Sequence, residues 1–218
     1  VSMRNPEIKP RSYQLDCLEA ITQAIESGAS RALIVMASGL GKTLTSAFAV
    51  ERFFAQRNFG KVLMLCHSEA ILSQSKDKYK SYFGEEYSYG MFVGEDRTKR
   101  LTDFFFASFQ TMKEHREEFA PDAFDYVIVD EAHHSQACTY SATITYFTPE
   151  FLLGMTATPD RLDGKDIAEI YGEPVYELSF VEAVSQGLLA ECDYRLVLDD
   201  MSQEKIDQCI NNNEKLVI

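Results

Sequence analysis

The feature that most constrains this chain is a series of short, almost uninterrupted apolar runs, each followed by a segment of helical periodicity. Ala32 to Met36, Lys61 to Cys66, Phe104 to Ser108, Tyr126 to Val129 and Phe151 to Met155 are the runs. A strand that is apolar at every position has no face for water, so it belongs inside a parallel sheet covered on both sides. The intervening patterns, Ser12 to Ser27, Thr43 to Arg57, Glu69 to Tyr82 and Thr111 to Phe119, supply the covering helices. Gly28 follows the first of them as a natural C-terminal cap. The expected fold is α/β, an open and mainly parallel sheet with helices on both faces.

Residues 1–198 are expected to form one domain, and Asp199 to Ile218 a polar linker or the start of a further domain. The stretch from Gly154 to Gly172, with Pro159, Gly164 and several charges, reads as a surface excursion. Pro174 to Leu198 reads as two strand-like runs around a short helix. No run approaches the ~20 apolar residues of a membrane span, and the first residues lack the apolar core of a signal peptide, so the expected location is the cytoplasm. The five cysteines form no close pair and read as reduced, buried thiols rather than a disulfide or zinc framework.

Between the first strand and the second helix stands Ala37-Ser38-Gly39-Leu40-Gly41-Lys42-Thr43. Glycines let a backbone approach a phosphate closely, while consecutive amides and a helix N-terminus point at the anion. Ser38, Gly39, Leu40 and Gly41 would form that cradle, Lys42 would reach the outer phosphates, and Thr43 would offer its hydroxyl to Mg²⁺. The strict pattern asks for glycine where this chain has Met36. Well downstream, Asp130-Glu131-Ala132-His133-His134 follows an apolar strand, which places two acids at the carboxyl edge of the sheet, where open α/β folds bind ligands. The plainer reading of Asp130 alone is a helix cap.

Taken together, these motifs resemble superfamily two helicases of the DEAD/DEAH type, in their first RecA-like domain. Arg11-Ser12-Tyr13-Gln14 resembles the family's adenine-reading element, and Gly154-Met155-Thr156-Ala157-Thr158-Pro159 its coupling motif. His67 and Ser68 after the second strand, and Ser108 and Gln110 after the third, fall in segments similar to those that touch the nucleic-acid backbone. Asp160 to Gly164, with Ala183 to Tyr194, looks most like the branch containing the motor subunits of type III restriction enzymes.

The resemblance implies ATP and Mg²⁺ as cofactors. Asp130 would hold the ion, Glu131 polarise the attacking water, and Arg11 and Gln14 meet the base. His133, Thr156 and Thr158 would couple the nucleotide to the polymer. It also implies a nucleic-acid track, DNA before RNA, a second RecA-like domain elsewhere in the full chain, and restriction-modification subunits as partners. Without that second domain's arginines, worth about 10³ to 10⁵ in rate, the isolated segment would turn ATP over very slowly. A net charge of −13 opposes non-specific attraction to phosphate, so any grip must be local. The alternative is a scaffold module gated by nucleotide without strand separation.

Overall fold

The computed structural model describes residues 4–55, 57–98, 100–132, 138–157 and 164–190. Helix α1 (Ser12–Glu26) precedes strand β1 (Arg31–Met36), and helix α2 (Lys42–Phe54) leads to β2 (Val62–Cys66). Helix α3 (Glu69–Phe83) is followed by β3 (Tyr89–Val93), β4 (Asp96–Arg97) and β5 (Phe104–Ser108). Next come α4 (Phe109–His115), with a 3₁₀ turn at Arg116–Glu118, then β6 (Tyr126–Asp130), α5 (Cys138–Tyr146) and β7 (Phe151–Thr156). Helix α6 (Gly164–Tyr171), strand β8 (Pro174–Leu178) and helix α7 (Phe180–Ser185) complete the described chain.

The strands form one sheet in the order β4-β3-β5-β2-β6-β7-β1-β8, parallel throughout except for the antiparallel β3–β4 pair at one edge. Each central strand divides its side chains between two apolar layers, as a period of two requires. Ile34, Met64, Phe104, Phe106, Ile128 and Leu153 face the layer beneath α1, α2 and α3. Leu33, Leu65, Phe105, Val127 and Val129 face Met112, Ile144, Ile167 and Tyr171 of α4, α5 and α6, with Phe147 just after α5. Phe104, Phe105 and Phe106 are all buried, so each contributes about 1.5–3 kcal/mol to the core, and a charge at any of them would break it.

The expected fold class is what the structure has, and one local expectation is corrected. The C-terminal half of the supposed excursion is α6, whose Ile167 and Tyr171 lie in the core. Spacing by four residues on one helix face outweighs the polar composition that suggested a loop. The expected second strand of the run from Pro174 lies outside the described residues, as does the linker at 199–218. Among the described residues, no helix is long and apolar enough to cross a membrane.

Candidate nucleotide site and the adjoining sheet edge

Parallel strands end on the same side, and here that side gathers the predicted residues. Register places Val35 beside Thr156, Met155 beside Asp130, and Cys66 beside Ser108, while Leu65 of β2 aligns with Val129 of β6. The loop after β1, Asp130 at the end of β6 with Glu131 after it, Thr156 at the end of β7 and His67 after β2 therefore form one row across neighbouring strand ends.

The glycine loop is left-handed at two positions, Gly39 (φ 89°) and Gly41 (φ 79°), which is where a side chain would be strained. Met36 occupies the position where the strict phosphate-loop pattern wants glycine, and the structure gives the reason it is tolerated. Its side chain is fully buried in the α1–α3 layer, and its backbone is ordinary strand. What Met36 offers the loop is its carbonyl, which accepts from Lys42 Nζ at 3.1 Å. Ser38 and Gly39 are exposed, and Lys42 sits half-buried at the start of α2. Thr43 is buried one residue further, its carbonyl accepting from Ser46 Oγ at 2.8 Å.

Gln14 is placed under this loop, 4% exposed. Its Nε2 donates to Thr45 Oγ1 at 3.0 Å and approaches the Gly41 carbonyl at 3.4 Å, and its Oε1 accepts from the Arg11 amide at 2.9 Å. Tyr13 adds a hydroxyl donated to the Leu40 carbonyl at 3.1 Å. Two neighbouring residues of α1 thus hold the loop from below, a role for Tyr13 that no motif pattern signalled.

Asp130 is buried, and Glu131 adopts φ 54°, the one non-glycine residue with positive φ among those described. The Glu131 amide turns back to donate to Asp130 Oδ1 at 3.0 Å. Burial pushes the Asp130 carboxyl above its usual range, and the Glu131 charge pushes it further. Lys42, the Glu131 amide and His67 pull the other way without winning. Two adjacent acids near one lysine leave a local excess of negative charge, which a divalent cation would neutralise. No group of three or more His, Cys, Asp or Glu among the described residues could hold a metal. That donor set suits Mg²⁺, which keeps waters and phosphate oxygens, and not a cage of protein ligands.

The residues expected along the polymer divide into two kinds. His67 and Gln110 are exposed at the edge. Ser68 and Ser108 are helix caps: Ser68 Oγ accepts from the Ile71 amide, and Ser108 Oγ from the Thr111 amide, with Ser108 only 4% exposed. Thr156 is buried at the end of β7. His133 and Thr158 lie outside the described residues.

The family model described as "Type III restriction enzyme, res subunit" matches residues 7–161, more than half of the sequence. The chain belongs to that family. Among relatives, the chain is 29% identical over 198 residues to the type I restriction enzyme EcoAI endonuclease subunit of Escherichia coli, covering 88% of this chain and 24% of that protein. It is 26% identical to the DNA 3'-5' translocase XPB2 of Sulfurisphaera tokodaii, covering 91% of this chain and 42% of that one. The fold matches the Hef helicase domain of Pyrococcus furiosus at a TM-score of 0.66, with 21% identity, over 81% of this chain and 39% of that one. The chain therefore spans about a quarter to two fifths of the length of these relatives.

Proposed function

We propose that these residues form the ATP-binding half of a nucleic-acid motor, a helicase or translocase that hydrolyses ATP to move along DNA. The observation that carries the reading is the juxtaposition, on one sheet edge, of the glycine loop with Lys42 and the Asp130–Glu131 pair, close enough for Lys42 to act on the charge of Asp130. The loop from Ser38 to Thr43 works as a Walker A cradle, and Asp130 to His133 as a DEAH box. Backbone amides from Gly39 to Thr43 receive the phosphates, and Lys42 leaves the Met36 carbonyl to meet them as a point charge. Thr43 and Asp130 hold Mg²⁺, which when bound concentrates positive charge where the phosphoryl group moves. Glu131 orients the attacking water and accepts its proton. Gln14 can still accept one bond from an adenine amino group, and Arg11 lies exposed beside it.

His133, Thr156 and Thr158 couple this chemistry to the polymer, and His67 and Gln110, with the backbone at Ser68 and Ser108, line the track. A second RecA-like domain in the full chain supplies the arginines that complete turnover. DNA is favoured over RNA because the relatives include restriction subunits and a DNA translocase. Restriction-modification subunits are the partners to seek first, in the cytoplasm.

The test is Mg²⁺-dependent ATP hydrolysis by the full-length protein alone and with single-stranded DNA, duplex DNA and RNA, beside Lys42→Ala. Strong stimulation by one polymer, lost in the variant, is expected. ATP binding with no stimulation by any of them would instead mean a nucleotide-gated scaffold.

A further inference from the structure

The helix that carries Lys42 and Thr43 is gripped from the side as well as from below. On α3, Leu72, Ser75, Tyr79, Tyr82 and Phe83 make a buried stripe at helical spacing. Within that stripe Tyr79 is fully buried, its ring fixed edge-on against Phe104 and Phe106 with centroids 5.3 and 5.5 Å away. Its hydroxyl lies 2.7 Å from Ser46 Oγ, and Ser46 is itself fully buried on the second turn of α2. Ser46 has one proton and donates it to the Thr43 carbonyl, so Tyr79 must be the donor in the pair. The result is a directed chain, Tyr79 to Ser46 to the backbone of Thr43, through a region closed to water.

The two ends of that chain belong to different jobs. Helix α3 starts at Ser68, its N-cap, immediately after His67 at the strand end assigned to the polymer. About 16 Å of rigid helix separates that start from Tyr79, at ~1.5 Å per residue. Helix α2 begins with the residues assigned to phosphate and Mg²⁺. A shift or rotation of α3 when its N-terminal end meets a strand would reach Thr43 through this buried hydrogen bond. Buried polar pairs of this kind resist continuous deformation, because a broken one leaves a hydroxyl without water.

We infer that Tyr79 and Ser46 are positioning residues that transmit polymer binding to the nucleotide cradle, a route separate from the coupling motif at Thr156. The inference rests on the motor reading. It treats neither residue as touching ATP, metal or polymer.

The experiment is a linkage measurement on the full-length protein. The affinity of a fluorescent ATP analogue is measured with and without duplex DNA, and polymer-stimulated hydrolysis is measured in parallel, for wild type, Tyr79→Phe, Ser46→Ala and Ser46→Thr. Coupling between two sites is commonly about 5- to 150-fold, and it must appear in both ligands' affinities. Tyr79→Phe and Ser46→Ala are expected to cut the DNA-induced change at least about fivefold while the affinities for each ligand alone and the basal hydrolysis stay at wild-type values. Ser46→Thr keeps the hydroxyl and should keep the coupling. Should Tyr79→Phe fold poorly, Ser46→Ala cuts the same chain while leaving the aromatic packing intact. Wild-type coupling in both cutting variants, or equal losses of basal and stimulated rates, would overturn the inference and leave the pair as packing. Absence of any polymer effect in wild type would overturn the motor reading and this inference with it.

Discussion

Gln14 donates across 3.0 Å to the hydroxyl of Thr45, a residue one turn into α2, the helix that follows the glycine loop. Both hydrogens of its amide point at the loop region and its oxygen already receives the Arg11 amide, so the side chain shapes the cradle in addition to any contact with a base. Replacing it by alanine should therefore do two things. Stability should fall by about 1 kcal/mol, the usual loss for a helix-start hydrogen bond. ATP affinity should fall several-fold as the loop loosens, and nucleotide titration beside a urea melt reads both. An unchanged melt with weaker binding would mean that Gln14 only reads the base.

Glu131 at φ 54° makes an unusual prediction of sign. In ordinary backbone, glycine is less stable than alanine by roughly 0.5–1 kcal/mol, whereas in the left-handed region the side chain costs roughly 1–2 kcal/mol. Glu131→Gly should thus be more stable than Glu131→Ala by about 1 kcal/mol, and both should lose hydrolysis. Equilibrium denaturation of the two variants decides it, since the lost carboxylate cancels in the comparison. The reverse order would show that this residue is not held in the left-handed region.

Gly154 lies under the ring of Tyr171. A Cβ built there would stand 2.7 Å from Tyr171 Cδ1 and 2.9 Å from Cγ, too close for any side-chain adjustment smaller than moving the ring. Gly154→Ala should cost about 1–3 kcal/mol by overpacking, and adding Tyr171→Leu should recover part of that loss. Thermal melts of the single and double variants test it. No loss in the single variant would mean that α6 shifts freely on the sheet.

The opposite edge of the sheet carries a pH dependence. Burial alone would raise the Asp103 carboxyl, but the Lys61 ammonium at 2.8 Å and the hydroxyl and amide of Ser88 outweigh it, so its pKa is lowered. A carboxyl lowered on folding adds stability that is present above its unfolded value of 3.8 and lost as pH falls through the folded one. Asp103→Asn should remove about 1 kcal/mol at pH 7 and flatten the acid limb of the stability curve below pH ~5, measured by urea melts from pH 7 to 3. Parallel curves for the two proteins would exclude the effect.

Much of this molecule was legible because its central strands are buried on both faces, so that Ala32 to Met36, Phe104 to Ser108 and Tyr126 to Val129 stand out as apolar runs with definite ends. The edge was harder to read. Strand β3 (Tyr89–Val93) alternates partly exposed and buried positions and contains a glycine, and β4 has two residues, too few for any period. Helix α5 is rich in threonine and tyrosine, residues that favour strands, and it has no distinct polar face. For α6 the signal was present in Ile167, Ile170 and Tyr171, but the prolines, glycines and charges around it argued for a loop. The residues proposed to act on nucleotide lie in contiguous motifs. Their support does not, because Gln14 with Thr45 and Tyr79 with Ser46 meet only after α1 and α3 have packed on either side of α2.

The strand order also dictates when this site can exist during synthesis. The strand leading into the glycine loop, β1, has β7 and β8 as its neighbours, so Arg31 waits for Leu152, and Met36 for Leu178. At roughly 5–20 residues per second, a ribosome needs many seconds to deliver them. Throughout that interval an apolar strand with both hydrogen-bonding edges bare is in the cell, the kind of segment that pairs with the wrong chain. Nucleotide cannot shelter it early, since the loop that would grip the phosphates has no platform until its last neighbours arrive. For this protein the nascent chain, more than the finished domain, is where chaperone dependence and insolubility on overexpression should originate.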